Sequence, residues 1–179
     1  ATAAAVLTWI LVEKIRDGHA TSLGAASGVV AGLVAITPAC AAVNASGALI
    51  IGAISGAFCA LSVGLKFKFG FDDSLDVVAV HLVGGIVGTI MIGFVGVDVG
   101  LFNGGGSEQL VKQAIGAGAV LVYSFVVSYV IGKLIDLTIG FRITVEQELA
   151  GIDLAIHAER GYEFSDNNQG NVLGNLKGA

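Results

Sequence analysis

The sequence predicts an all-α protein, a polytopic transmembrane helical bundle with about five spans. Apolar residue types make up 55% of the 179 residues, and the mean hydropathy is +0.86. Charged residues make up only 13%, against roughly 25% in ordinary soluble domains. From Gly18 to Leu65 the chain holds no Asp, Glu, Lys or Arg. That neutral run is long enough for two helices of about 20 residues, the length that crosses a bilayer.

Five apolar segments follow one another along residues 1–138, the region predicted to lie in the membrane. The first is only long enough for about 22 Å of helix, so we interpret it as the second half of a span that begins upstream, in a longer protein. Turn-forming residues at Asn44–Gly47 separate the second segment from the third. The spans are predicted at Ala1–Ile15, Ser22–Val43, Ala45–Lys66, Val77–Val97 and Glu108–Leu137.

The basic residues near the span ends predict the orientation in the membrane. They fall in alternate connections, at Lys14, Arg16, Lys66, Lys68, Lys133 and Arg142. Because cytoplasmic loops are rich in Lys and Arg, these segments and the C-terminus are predicted to be cytoplasmic, in a multi-pass membrane protein. Lys112 is the one exception. Residues 139–164 are predicted to form a short helical cytoplasmic tail, and the Asn/Gly-rich residues 165–179 are expected to be disordered.

Rows of small residues at a spacing of four predict close helix packing. The rows are Gly24–Gly28–Gly32, Gly52–Gly56–Ala60–Gly64 and Gly84–Gly88. Helices in lipid associate by close fit, which small residues permit. Pro38 interrupts the second apolar segment, and it is interpreted either as the end of a helix or as a kink, since proline removes a backbone donor.

His81 is the most informative candidate for function, because it is the one ionisable residue in the predicted span Val77–Val97. Ionisable groups in a span indicate a substrate or proton pathway, although a buried histidine bonded to a carbonyl is the alternative. Asp72 and Asp73 precede the span and are interpreted as dipole and capping groups. Asp76 is the carboxylate nearest to His81 in sequence and could attract cations to the cytoplasmic mouth.

Several other classes of function are excluded. The net charge of −5 argues against nucleic-acid binding, which needs a basic surface to neutralise phosphates. We expect no metal and no cofactor, because no ligand cluster or phosphate-binding loop is found. We also expect no enzymatic activity, since the sequence offers no pair of nucleophile and base.

Four segments resemble the ammonium transporter (Amt/Mep/Rh) family. Residues 72–88, from Asp72 through His81 to Gly88, resemble the family's D-x-x-D-V-x-x-V-H-x-x-G-G-I-x-G segment. Gly32–Cys40 resembles its G-L-V-x-x-T-P-A-C/A-G run, and Gly47–Gly52 matches a further segment. The tail from Gly140 through Tyr162 is similar to the family's cytoplasmic tail.

The resemblance implies one half of an inverted-repeat transporter, spans seven to eleven of an eleven-span homotrimer. It implies that His81 is the second of two histidines facing each other across a hydrophobic pore, where imidazoles hydrogen-bond the deprotonated substrate. The pathway residues are then predicted to be His81, Val77, Asp76, Thr37 and Val30.

The resemblance also implies a regulatory tail that can meet a PII-type signalling protein. The predicted regulatory residues are Arg142, Glu146, Glu148, Asp153 and His157. Two alternatives to ammonium transport stay open: an ammonium sensor in which the tail signals, and a neutral-gas channel of the Rh type.

Overall fold

The computed structural model describes residues 1–159, which are helical and contain no strand. The α-helices are α1 (Thr2–Asp17), α2 (Ser22–Ile36), α3 (Ala45–Ser62), α4 (Leu65–Phe69), α5 (Gly84–Val95), α6 (Glu108–Thr138) and α7 (Val145–Ala150). Two π-helical turns, Val78–Val83 and Asp153–His157, and a 3₁₀ turn at Leu101–Asn103 complete the elements. The expected disorder of residues 165–179 lies outside the described residues.

Three helical segments among the described residues are long and apolar enough to cross a membrane. They are Ala45–Phe69, Val78–Val95 and Glu108–Thr138, with 25, 18 and 31 residues. Ser22–Ile36 is also apolar but shorter. The helical, multi-span fold class is therefore confirmed.

The second predicted span differs from the structure, because α2 ends at Ile36 rather than continuing to Val43. The chain then makes tight turns in which Ala39 N–H donates to the Ile36 carbonyl and Ala42 N–H to the Ala39 carbonyl. Pro38 explains this end, since it supplies no N–H and its ring crowds the preceding turn. Of the two interpretations of Pro38, the end of a helix is the one that the structure has.

The chain divides into two compact units, Ala1–Ser124 and a second that begins at Phe125. In the first unit, α1 lies against both α2 and α3. A Cβ added at Gly32 would lie 2.6 Å from Thr2 Cα, and one added at Gly28 would lie 3.0 Å from Val6 Cα. One added at Gly56 would meet the Ala5 carbonyl. Two of the predicted small-residue rows thus form the surface on which α1 packs.

Two clusters of buried side chains form the core of the first unit. One contains Trp9, Ala31, Cys59, Ala60 and Val80. The other contains Ala35, Ala39, Ile51, Ile92 and Val95. Alanine and valine dominate both clusters, which is expected where helix backbones approach closely.

In the second unit, the tail contains a short helix with a complete N-terminal cap. The Thr144 hydroxyl accepts from the N–H of Gln147, and the Gln147 side chain accepts from the N–H of Thr144. This reciprocal arrangement is a capping box. It starts α7, which ends at Gly151 with φ of 94°.

Candidate functional site

The site is built around the π-helical turn Val78–Val83, which contains His81. A π-turn has hydrogen bonds between residues five apart instead of four, and such turns occur frequently at functional sites. The Asp73 carboxylate caps the start of the turn: it accepts from the N–H of Val77 at 2.8 Å and of Val78 at 2.9 Å. The capping role predicted for Asp73 is confirmed.

The inner side of the turn is fixed by the core. Val80 is only 4% exposed and packs with Ala31 and Cys59. The Ser55 hydroxyl donates to the Ala31 carbonyl at 3.2 Å, and its oxygen lies 3.6 Å from Cys59 Sγ. The Cys59 thiol in turn points at the Val80 carbonyl, at 4.0 Å. A buried polar chain therefore runs from α2 through α3 to the residue before His81.

His81 itself faces away from this core. Its side chain is exposed, as are those of Val77, Leu82 and Ile86. Residues four apart share a helix face, so Val77 and His81 belong to one uncovered surface. Gly85 continues it, because a Cβ added there would meet nothing within 4 Å. The described part of the chain thus leaves the imidazole accessible rather than enclosing it against a carbonyl.

Asp76 lies at the entrance to the turn and has a cationic partner. Its Oδ1 is 2.7 Å from Lys66 Nζ, and the two side chains are 23% and 17% exposed. Lys66 Nζ also donates to the Asp73 carbonyl at 3.1 Å. The sequence offered no signal for this contact, because Lys66 stood out there only as a charge at the end of a span.

The two predicted pathway residues on the second apolar segment are both exposed. Val30 is 38% exposed, and neither it nor Thr37 belongs to the core clusters. The Thr37 hydroxyl donates to the Leu33 carbonyl at 2.7 Å. The α2 residues that pack with Val80 are Ala31 and Val34 instead. The roles of Val30 and Thr37 stay predictions.

The predicted regulatory residues lie on α7, on the π-turn after it and, for Arg142, just before α7. Arg142 Nη2 lies 3.6 Å from Glu148 Oε1. The pKa of the Glu146 carboxyl is lowered, mainly by a hydrogen bond from its own backbone N–H and further by the Thr144 hydroxyl. Asp153 and His157 are the first and last residues of the second π-turn. Their regulatory roles stay predictions as well.

Residues 1–159 contain no group of three or more His, Cys, Asp or Glu side chains that could hold a metal ion.

Apolar span-length helices that pack through glycine, with one exposed histidine in a span, define a polytopic α-helical membrane protein.

Comparison with known sequences gives the family. The Ammonium Transporter Family model matches residues 1–162. The chain is 57% identical over 177 residues to an ammonium transporter of Mycobacterium bovis, covering 92% of this chain and 37% of that protein. It is 44% identical over 174 residues to an ammonium transporter of Bacillus subtilis, covering 92% of this chain and 43% of the relative. The chain belongs to the ammonium transporter family, as the resemblance predicted.

Solved structures agree with this assignment. Mep2 of Saccharomyces cerevisiae superposes with a TM-score of 0.74 at 30% identity, covering 81% of this chain and 35% of that one. Mep2 of Candida albicans superposes with a TM-score of 0.71 at 33% identity, covering 82% and 35%. The chain spans between about a third and somewhat more than two fifths of the length of these relatives.

Proposed function

We propose that the protein carrying this chain transports ammonium or ammonia across a membrane, and that His81 lies in the substrate pathway. Family membership over residues 1–162 supports the substrate. The observation that carries the role of His81 is its exposure on a span whose neighbouring residue, Val80, is buried in the core.

The proposed chemistry follows from the energy of charge in an apolar pore. Bringing an ammonium ion into a dry medium costs on the order of 20 kcal/mol by idealised Born estimates. Release of the proton to water at the entrance removes most of that barrier, so that neutral ammonia can cross and take up a proton from water at the exit. A neutral imidazole offers one donor and one acceptor, so His81 can hydrogen-bond ammonia as it passes and can relay a proton.

Val77 is the residue we propose to line the pathway next to His81, because it lies one turn away on the same exposed face. Asp76, Thr37 and Val30 remain proposed pathway residues with less support from contacts. We propose that residues 1–138 lie in the plasma membrane and that the tail 139–164 is cytoplasmic. Assembly as a homotrimer and contact of the tail with a PII-type protein are proposed from the family resemblance.

Methylammonium uptake by the complete gene product tests the proposal. His81→Ala and His81→Asp are expected to reduce uptake strongly, because the first removes the hydrogen-bonding group and the second introduces a charge. His19→Ala is the matched control, since His19 is an exposed loop residue whose Nδ1 lies 2.9 Å from the Asp17 carbonyl. Unchanged uptake in both His81 variants would remove His81 from the pathway.

Further measurements on the complete gene product separate transport from the neutral-gas channel and from the sensor. A current that depends on ammonium would disfavour the neutral-gas channel. Signalling that persists in a variant without uptake would favour the sensor. Ammonium uptake lost together with the His81 imidazole, with His19→Ala unaffected, would support transport.

A further inference from the structure

Asp76 has an unusual backbone conformation. Its φ is 56°, in the left-handed region that residues other than glycine seldom adopt. The conformation lets the chain turn sharply from the segment after α4 into the π-turn, and the Asp76 carbonyl accepts from the N–H of Val80 at 2.8 Å. Such conformations persist where surrounding contacts enforce them, so the contacts of Asp76 account for its backbone.

Lys66 supplies those contacts from the preceding helix. Its ammonium lies 2.7 Å from Asp76 Oδ1 and donates to the Asp73 carbonyl at 3.1 Å. One cation therefore binds both ends of the four-residue segment Asp73–Asp76. At the same time the Asp73 carboxylate holds the first two N–H groups of the helix that contains His81.

The pair is largely shielded from water, since its two side chains are only 17% and 23% exposed. Asp76 Oδ1 is shielded from solvent, and the described residues offer it no hydrogen bond beyond the charge contact with Lys66. Partly buried charges are screened less by water and salt than exposed ones. Removing one partner leaves the other charge uncompensated, which is more disruptive than removing both.

We propose that Lys66 is a positioning residue for His81: its ion pair with Asp76 holds the segment Asp73–Asp76 and so sets the register and direction of the π-turn. The inference rests on the proposed pathway role of His81. It gives Asp76 a structural role as counter-ion to Lys66, in addition to its proposed place in the pathway.

The test uses the complete gene product in lipid nanodiscs and the double variant Lys66→Met/Asp76→Asn. This variant removes both charges, so it leaves no buried unpaired ion and is expected to fold. Lys68→Met is the matched control, because Lys68 is exposed two residues further along. Lys66→Arg keeps the positive charge and is the conservative variant.

Two measurements are needed. Hydrogen exchange of the Val78–Val83 amides is expected to speed up on the order of tenfold in the double variant, the size of a typical pairwise coupling. The maximal rate of methylammonium uptake is expected to fall by a similar factor with KM little changed, since the site is displaced rather than lost. Lys68→Met should change neither the exchange rate nor the uptake rate. Lys66→Arg should leave both close to their values in the unaltered protein.

The outcomes separate the two proposals. Exchange of these amides that is the same in the double variant and in Lys68→Met would overturn the positioning role. Faster exchange with an unchanged maximal rate would also overturn it, because the pair would then be structural only. If His81→Ala left uptake intact, the pathway role of His81 would fail, while the exchange measurement would still report whether the pair holds the turn.

Discussion

Replacing Gly88 with alanine is the sharpest test of how the helices of the first unit pack. Gly88 lies on α5 and is buried against α2. A Cβ added there would meet the carbonyl oxygen of Ala35 and would lie 2.7 Å from its carbonyl carbon and 2.9 Å from its Cα. Carbon atoms in contact prefer about 3.5–4.0 Å. The obstacle is backbone, which cannot rotate away, so α5 would have to move from α2 by about 1 Å.

The expected loss of stability follows from two opposing effects. Overpacking a well-packed core typically destabilises by about 1–3 kcal/mol, and a backbone obstacle belongs at the upper end. Alanine returns about 1 kcal/mol as the better helix former. Gly88→Ala should therefore destabilise by about 2 kcal/mol. Gly85→Ala is the matched control on the same helix, because a Cβ there meets nothing within 4 Å.

The assay is unfolding of the complete gene product in mixed micelles, followed by tryptophan fluorescence, to which Trp9 contributes from the core, where it is 4% exposed. The unfolding midpoint of Gly88→Ala should shift toward lower denaturant, and that of Gly85→Ala should stay or rise. Equal shifts for the two variants would show that close approach of α5 to Ala35 does not limit stability. A stabilised Gly88→Ala protein would refute the packing argument directly.

Two further predictions concern single polar contacts. Asn103 Nδ2 donates to the carbonyls of Val95 and Gly96 at 3.0 and 3.1 Å, so Asn103→Ala should lower the free energy of unfolding by about 1 kcal/mol. Asn103→Asp keeps the side-chain shape but removes the N–H donor, so it should lower the free energy of unfolding by at least as much in the same assay. The pKa of Asp17 is lowered, chiefly by the hydrogen bond from Arg16. That stabilisation is present above the unfolded-state pKa and is lost as the pH falls through the lowered folded value. Carboxyl NMR should give a titration midpoint that rises on Arg16→Gln, and an unmoved midpoint would contradict the assignment.

The spans could be predicted from the sequence to within a few residues where their ends are marked locally. Glu108 begins α6 as predicted, and Thr138 ends it one residue beyond the predicted Leu137. Asn44 was predicted as part of a turn, and it caps α3 by accepting from the N–H of Gly47. The predicted end at Val43 was wrong, because hydropathy continues past Pro38 while the helix does not.

The small-residue rows were predictable as packing surfaces, but their partners were not. Gly28, Gly32 and Gly56 all face α1, whereas a Cβ at Gly64 would meet nothing within 4 Å. A spacing of four residues places glycines on one helix face. It does not indicate where the neighbouring helix ends, and α3 has already ended at Ser62.

The sequence by itself determined the helical membrane class, the family and the candidate histidine, because hydropathy and motif spacing are local properties of the chain. The tertiary structure alone decided that Val80 turns inward while His81 stays exposed, and that Lys66 rather than a nearer residue pairs with Asp76. These features depend on the left-handed backbone of Asp76, the π-turn Val78–Val83 and the contact of Lys66 with Asp76. Each of them arises from the packing of several segments together, which no single stretch of sequence encodes.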